Sequence, residues 1–482
     1  MTETPPLPGR TATNRRLNRR AILAATGMAA AAALAGCADD DPPETTPTET
    51  PDGTREEDAE TPPEPPSEPL PEGEPSASNA RLRELVAGNA GFATSLHDRF
   101  VDAEDDDNVF FSPYSVSMAL AMTYAGAAGD AEAAMRETLR FSLGEETHPA
   151  FAELQGELDE RETTEGGPGG GGGRDDEEDG EGDDDDEVDA FRLSVANALW
   201  SEADFPFAAD YLEVVDEYYG GGFNEAAFAV DPDGERERIN EWVGEATEER
   251  IEDLLPEGSI TPGTVLVLTN AIYFMASWEQ EFDPDDTTDG SFTALDGSES
   301  TVPMMSQTLR TNYADLPGVQ AIELPYVGGD VSMVLVVPDE GRFEEIEAKL
   351  SGATLFGVFE ALGDASGDLR IPSFEYEFDA ALSEALRELR MGAAFGPGAD
   401  FSTMVEEGNG PGIDEVFHEA FVSVDEEGTE AAAATAVTMV ESAPPESFDL
   451  TIDRPFLFCI RDRPTDAVLF LGRVADAGAA QG

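Results

Sequence analysis

Residues 426–436 read Glu426-Glu427-Gly428-Thr429-Glu430-Ala431-Ala432-Ala433-Ala434-Thr435-Ala436. An alanine tract ordinarily propagates helix. This one follows an alternating run, Phe421-Val422-Ser423-Val424, opens at a glycine and carries a threonine near each end. Taken with a period of two, one face is Thr429, Ala431, Ala433 and Thr435, and the other is Glu430, Ala432, Ala434 and Ala436. The first face is small and uncharged throughout. A strand with such a face can slide between two existing strands without a bulky side chain striking the layer beneath. The competing reading is a helix cap followed by a surface alanine helix. The flanking strand pattern favours a loop built to become a strand.

Other stretches constrain the fold further. In chain order they are Asn108-Val109-Phe110-Phe111-Ser112-Pro113-Tyr114-Ser115 running on to Gly126, then Ala196-Asn197-Ala198-Leu199-Trp200, then Leu268-Thr269-Asn270-Ala271-Ile272-Tyr273-Phe274 with Trp278 following. Val302-Pro303-Met304-Met305, Val336-Val337-Pro338-Asp339-Glu340 and Ala399-Asp400-Phe401-Ser402 come next. His418-Glu419-Ala420-Phe421-Val422 leads into the alanine segment, and Asp453-Arg454-Pro455-Phe456 with Leu471-Gly472-Arg473-Val474 closes the series. Together with the alanine hinge, these stretches resemble the serpins, the serine-protease-inhibitor superfamily, over residues 80–476. The resemblance implies an α+β fold with a large mixed central β-sheet, additional sheets, about eight or nine helices and an exposed reactive loop.

The chain carries 104 acidic against 27 basic residues, a formal charge of −77. Self-repulsion on that scale is a burden where the Debye length is long. With the acid spread over every segment, the charge reads as a surface adapted to molar salt rather than a patch recruiting cationic partners. It argues against nucleic-acid binding, which needs basic patches.

The first 37 residues read as a targeting segment. Arg19-Arg20 resembles a twin-arginine export signal, and the apolar run after it ends at Leu34-Ala35-Gly36-Cys37, which resembles a lipoprotein cleavage box with Cys37 acylated. That run is shorter than the roughly 20 residues a membrane-spanning helix needs. The resulting expectation is a protein exported by a twin-arginine-type pathway and lipid-anchored on the outer face of the cytoplasmic membrane, or extracellular. Cys459, the other of two cysteines, lies in an apolar run and reads as a buried small hydrophobe, so no disulfide framework is expected. Residues 38–79 are rich in Pro, Glu, Asp and Thr and read as a disordered acidic tether.

Apolar spacing of three and four predicts helices over residues 82–99, 114–124, 130–139 and 149–161, with a short late one at 382–389. Strand patterns fall at 193–200, 265–272, 320–324 and 331–337. Helices early and strands late fit the α+β class. Residues 162–189, nearly all Gly, Asp and Glu from Glu165 on, read as a disordered acidic insertion, and residues 477–482 as a tail. Asp175-Asp176-Glu177-Glu178-Asp179-Gly180 departs from the spacing of a calcium loop, and no metal or other cofactor is expected.

Little supports an enzyme. The histidines are His97, His148 and His418; there is no Gly-x-Ser-x-Gly elbow, no His-Glu-x-x-His, and two distant cysteines make no zinc site. Carboxylate pairs carry no information in so acidic a chain. The resemblance implies instead an inhibitor without catalytic residues, whose loop a protease attacks and whose hinge, Glu426 to Thr435, then inserts into the central sheet. The family spacing implies a reactive bond at Ser442–Ala443, about seventeen residues from Glu426; a shift of one makes it Glu441–Ser442. Neither recognised residue is basic, so the implied partner is a serine or cysteine protease that is not trypsin-like. Ser112, Ser115, Asn270, Trp278 and His418 match family positions where the sheet opens, and the protein is expected to be a monomer. The alternative is a non-inhibitory surface binding protein on the same fold, and a hydrolase is the weaker third reading.

Overall fold

The computed structural model describes residues 69–103, 107–161, 191–203, 205–220, 223–380, 382–429 and 446–481. The expected signal segment with Cys37, most of the tether, the acidic insertion and the loop from Glu430 through Ser442 and Ala443 lie outside them.

Nine α-helices occur among the described residues: α1 (Ala80–Ala103), α2 (Pro113–Tyr124), α3 (Gly129–Thr138), α4 (Thr147–Asp159), α5 (Ala209–Tyr219), α6 (Pro232–Ala246), α7 (Phe343–Glu347), α8 (Gly352–Ala361) and α9 (Leu382–Glu388). Helix α2 is buried along its whole length. Ser112 caps it, its hydroxyl accepting from Ser115 N at 3.1 Å, and Pro113 fills the first position, where no intrahelical N–H is needed.

Among the described residues fifteen strands form two sheets. The six-stranded sheet runs β10 (Phe374–Ala380), β11 (Val416–Val424), β4 (Leu266–Ser277), β2 (Phe191–Glu202), β3 (Phe223–Ala226), with the two-residue β12 (Gly428–Thr429) paired to β4. It is mixed: β11 and β4 are parallel, as are β2 and β3, while β10–β11 and β2–β4 are antiparallel. Strand β4 is apolar and almost wholly buried, as a central strand covered on both faces must be. Along β11 burial alternates strictly, following the period of two.

The nine-stranded sheet runs β1 (Val109–Phe111), β15 (Ala467–Val474), β14 (Phe456–Asp462), β8 (Val331–Pro338), β7 (Val319–Pro325), β6 (Glu299–Leu316), β9 (Gly363–Pro372), β13 (Glu446–Thr451), with β5 (Thr288–Thr293) on β6. The α+β class and the mixed sheet expected above are what the structure has.

Several boundaries differ from expectation. Strand β4 runs to Ser277 because Tyr273, Phe274 and Ala276 are also buried. Helices α5, α6, α7 and α8 were not foreseen, and they break the order of helices first and strands later. The tether does not extend to residue 79. Leu70 and Ala77 are buried, Gly73 N donates to Ala353 O at 2.9 Å, and Ser76 N donates to an Asp466 carboxylate oxygen at 2.8 Å. A few apolar residues suffice to pack a segment whose average composition is polar. The expected tail packs too, with Ala477 and Ala480 fully buried and Ala480 O accepting from Glu375 N at 2.8 Å.

Candidate functional site

The parallel ladder between β11 and β4 is registered from Val416↔Leu268 to Ala420↔Ile272. Both strands continue beyond it, to Val424 and Ser277. The hinge begins at that end of the sheet. The chain leaves β11, turns at Asp425, and returns so that Gly428 and Thr429 pair antiparallel with Ser277 and Ala276.

Asp425 makes the turn: its carboxylate accepts from the amides of Glu427 (3.0 Å) and Gly428 (3.1 Å), while its own N–H donates to Gly428 O at 3.0 Å. Burial raises the Asp425 carboxyl above its ordinary pKa, and the two amides oppose that. Trp278 clamps the turn from below. Its indole N–H donates to Asp425 O and its backbone N–H to Glu427 O, each at 3.0 Å. Phe282 N donates to Glu426 O at 2.9 Å, and the Thr287 hydroxyl donates to the Glu426 carboxylate at 2.5 Å.

Gly428, the glycine that opens the alanine segment, takes part in this pairing. Here it is buried, and it serves close approach: a Cβ at that position would lie 2.2 Å from Ala276 O. Thr429 is buried with its side chain turned inward, as the small-face pattern predicts, and its hydroxyl meets the Tyr326 hydroxyl at 2.8 Å.

Deeper along the same two strands lies a fully hydrogen-bonded polar cluster. His418 stands opposite Asn270 in the parallel register, and its Nδ1 lies 2.5 Å from Asn270 Oδ1. Its Nε2 accepts from the Ser112 N–H at 3.3 Å. A backbone amide can only donate, so the ring is the neutral tautomer protonated at Nδ1. Burial lowers the His418 pKa to about 4, which keeps that form. The Asn270 amide donates to Ser115 Oγ at 2.7 Å and to Asn197 Oδ1. Ser115 Oγ donates to Asn197 Oδ1 at 3.1 Å, and Ser112 Oγ donates to Leu469 O at 2.7 Å.

The structure thus brings Ser112, Ser115, Asn270 and His418 together, joining α2, β4, β11 and β15, and sets Trp278 apart at the hinge. Two participants were missed. Asn197 lies inside a stretch read only as strand, where a lone amide among apolar residues was the available signal. Tyr326 follows the end of β7, about a hundred residues from the hinge, and nothing local marks it.

Elsewhere the histidines are structural: His97 bonds Glu347 at 3.0 Å and His148 bonds the Tyr219 hydroxyl at 2.7 Å. Burial pushes the Cys459 thiol up to about 12, so it is no nucleophile. Among the described residues no group of three or more His, Cys, Asp or Glu side chains is placed to hold a metal ion.

Comparison with known proteins agrees with this geometry. A family model described as serpin (serine protease inhibitor) matches residues 87–477. An uncharacterised serpin-like protein of Thermococcus kodakarensis is 36% identical over 375 residues, covering 77% of this chain and 81% of its own. Antithrombin-III of Mus musculus is 32% identical over 421 residues, covering 83% of each chain. Among solved structures, human thyroxine-binding globulin superposes with a TM-score of 0.68 at 29% identity, over 83% of this chain and all of its own.

Proposed function

The chain belongs to the serpin family, and we propose that it inhibits a serine-type endopeptidase as a suicide substrate. The observation that carries this reading is the antiparallel seating of Gly428 and Thr429 beside β4, beyond the point where the parallel register of β11 and β4 ends. A strand begun there can extend only by passing between those two strands.

In this reading the protease serine attacks the carbonyl carbon of Ser442, the bond to Ala443 nitrogen breaks, and an ester joins protease to loop. Ala443 leaves with the proton as a free amine. Each further hinge residue then adds to the sheet, and the attached protease is carried along and distorted before water reaches the ester. Strain in the native sheet supplies the free energy. The hinge face of Thr429, Ala431, Ala433 and Thr435 is slim enough to pass. The chain supplies no catalytic group of its own. With Ser442 or Glu441 as the recognised residue, targets are proteases that accept small or acidic side chains. We infer also that the acidic surface suits molar salt, that the protein acts as a monomer, and that lipid on Cys37 tethers it outside the cytoplasmic membrane.

The test is incubation with a panel of such proteases, including a glutamate-specific one, followed by denaturing electrophoresis. A stable covalent complex is expected, lost in Thr429→Arg, which is cleaved instead. Intact loop with every protease, or simple turnover by the parent protein, would favour a non-inhibitory binding protein on the same fold.

A further inference from the structure

Tyr326 is fully buried, and its ring stacks on Trp278 with centroids 4.6 Å apart and planes 8° from parallel, while Phe274 meets it edge-on. Its ring is therefore held by packing against side chains outside the hinge. Burial holds the phenol well above its ordinary pKa, so the hydroxyl stays neutral. The Thr429 hydroxyl lies 2.8 Å from it, inside the same apolar enclosure. A phenol buried without a hydrogen-bond partner is unfavourable, so the position selects a hinge conformation that brings a hydroxyl to it.

We propose that Tyr326 is a positioning residue for loop insertion: it latches the hinge with its first two residues already in the sheet, before any protease arrives. Insertion then proceeds by extending an existing strand. The costly first pairing is complete while the loop is still uncut, so insertion competes better with hydrolysis of the acyl-enzyme. The Trp278 hydrogen bonds hold the turn's backbone, and the Tyr326–Thr429 contact reads the side chain, so the two can be separated by mutation.

The proposal rests on the inhibitory reading, and its test carries a readout independent of inhibition. Tyr326→Phe removes only the hydroxyl and keeps the stack; Thr429→Val removes the partner hydroxyl at nearly constant shape. Hydrogen exchange of the peptide spanning residues 425–429 reports seating directly. Both variants are expected to lose protection there and to raise the stoichiometry of inhibition about two- to tenfold, the factor one hydrogen bond supplies. The double variant should be no worse than either single one. Should Tyr326→Phe fail to fold, Thr429→Val poses the same question from the loop side. Unchanged protection, unchanged stoichiometry or additive effects would overturn the latch. If the parent forms no covalent complex with any protease, the inhibitory reading fails instead, and hydrogen exchange still decides whether Tyr326 seats the hinge.

Discussion

His418 and Glu419, consecutive on β11, face opposite sides of the sheet and titrate in opposite senses. His418 points into the polar cluster under α2, where burial lowers its pKa to about 4. Glu419 stands on the other face, directly across from Asp379. Burial, then the charges of Asp379, Glu377 and Asp253, raise its pKa to about 7. The lowered histidine contributes stability that is present above its unfolded value of about 6.5 and is lost as pH falls toward 4. The raised carboxyl contributes stability that is present below about 4.5 and is lost as pH rises through 7. Melting temperature followed from pH 4 to 8 at constant molar salt should show both limbs. Glu419→Gln is expected to flatten the alkaline limb and leave the acid limb. A parallel profile for the variant would mean that Glu419 is not the group responsible.

Gly428→Ala tests the seat itself. The new Cβ would lie 2.2 Å from Ala276 O, backbone that cannot move without disturbing β4. Expelling the hinge or straining the sheet should lower native stability by about 1–3 kcal/mol, the usual range for overpacking. Denaturant midpoints measure this, and the same variant should be cleaved by the target protease rather than trap it. A stable variant with full inhibition would show that the seating seen here is not on the route to insertion.

Salt should separate the native from the cleaved form. With a formal charge of −77, low ionic strength increases self-repulsion. A sheet strained as the proposed mechanism requires would have little reserve against it. The native form is expected to lose activity or polymerise below roughly molar salt, while protein cut near Ser442 survives desalting. Melting temperatures of both forms across a salt series give the comparison. Equal values throughout would mean that cleavage releases no stored strain.

Cys37→Ser is expected to release the protein from membranes or leave its leader uncleaved. No helix among the described residues is long and apolar enough to cross a bilayer. Unchanged fractionation and unchanged mass in the variant would make the cleavage-box pattern fortuitous.

Much of this architecture could be read from the chain because it rests on periodicity. The alternation of Val416 to Val424 and the apolar run of β4 stand out whatever packs on them. Helix α6 stayed hidden because acid dominates it: only Ile239, Asn240, Val243 and Gly244 are buried, too few to show a stripe. At the site, Ser112, Ser115, Asn270 and His418 could be singled out within longer stretches of recognisable order. Asn197 and Tyr326 matter through contacts across 82 and 103 residues, and periodicity is blind to separations of that size. The packed segment from Leu70 to Ala77 escaped for a third reason: its prolines and glutamates outweigh the few side chains that dock.

The register at the start of the hinge has a consequence at its far end. Gly428 opposite Ser277 and Thr429 opposite Ala276 would set the register of any strand that grew from them. Were insertion to continue that register down β4, it would carry Ala431 to Phe274, Ala433 to Ile272 and Thr435 to Asn270. Asn270 is the residue His418 now faces across a single strand spacing. A new strand between them doubles that separation to about 9.6 Å, and the imidazole can no longer reach the carboxamide. The side chain delivered into the widened space is the second threonine, whose hydroxyl both donates and accepts. If the hinge inserts as proposed, Thr435 would be a replacement partner carried in by the strand whose entry breaks the old bond, and an alanine there would leave two buried polar groups unanswered.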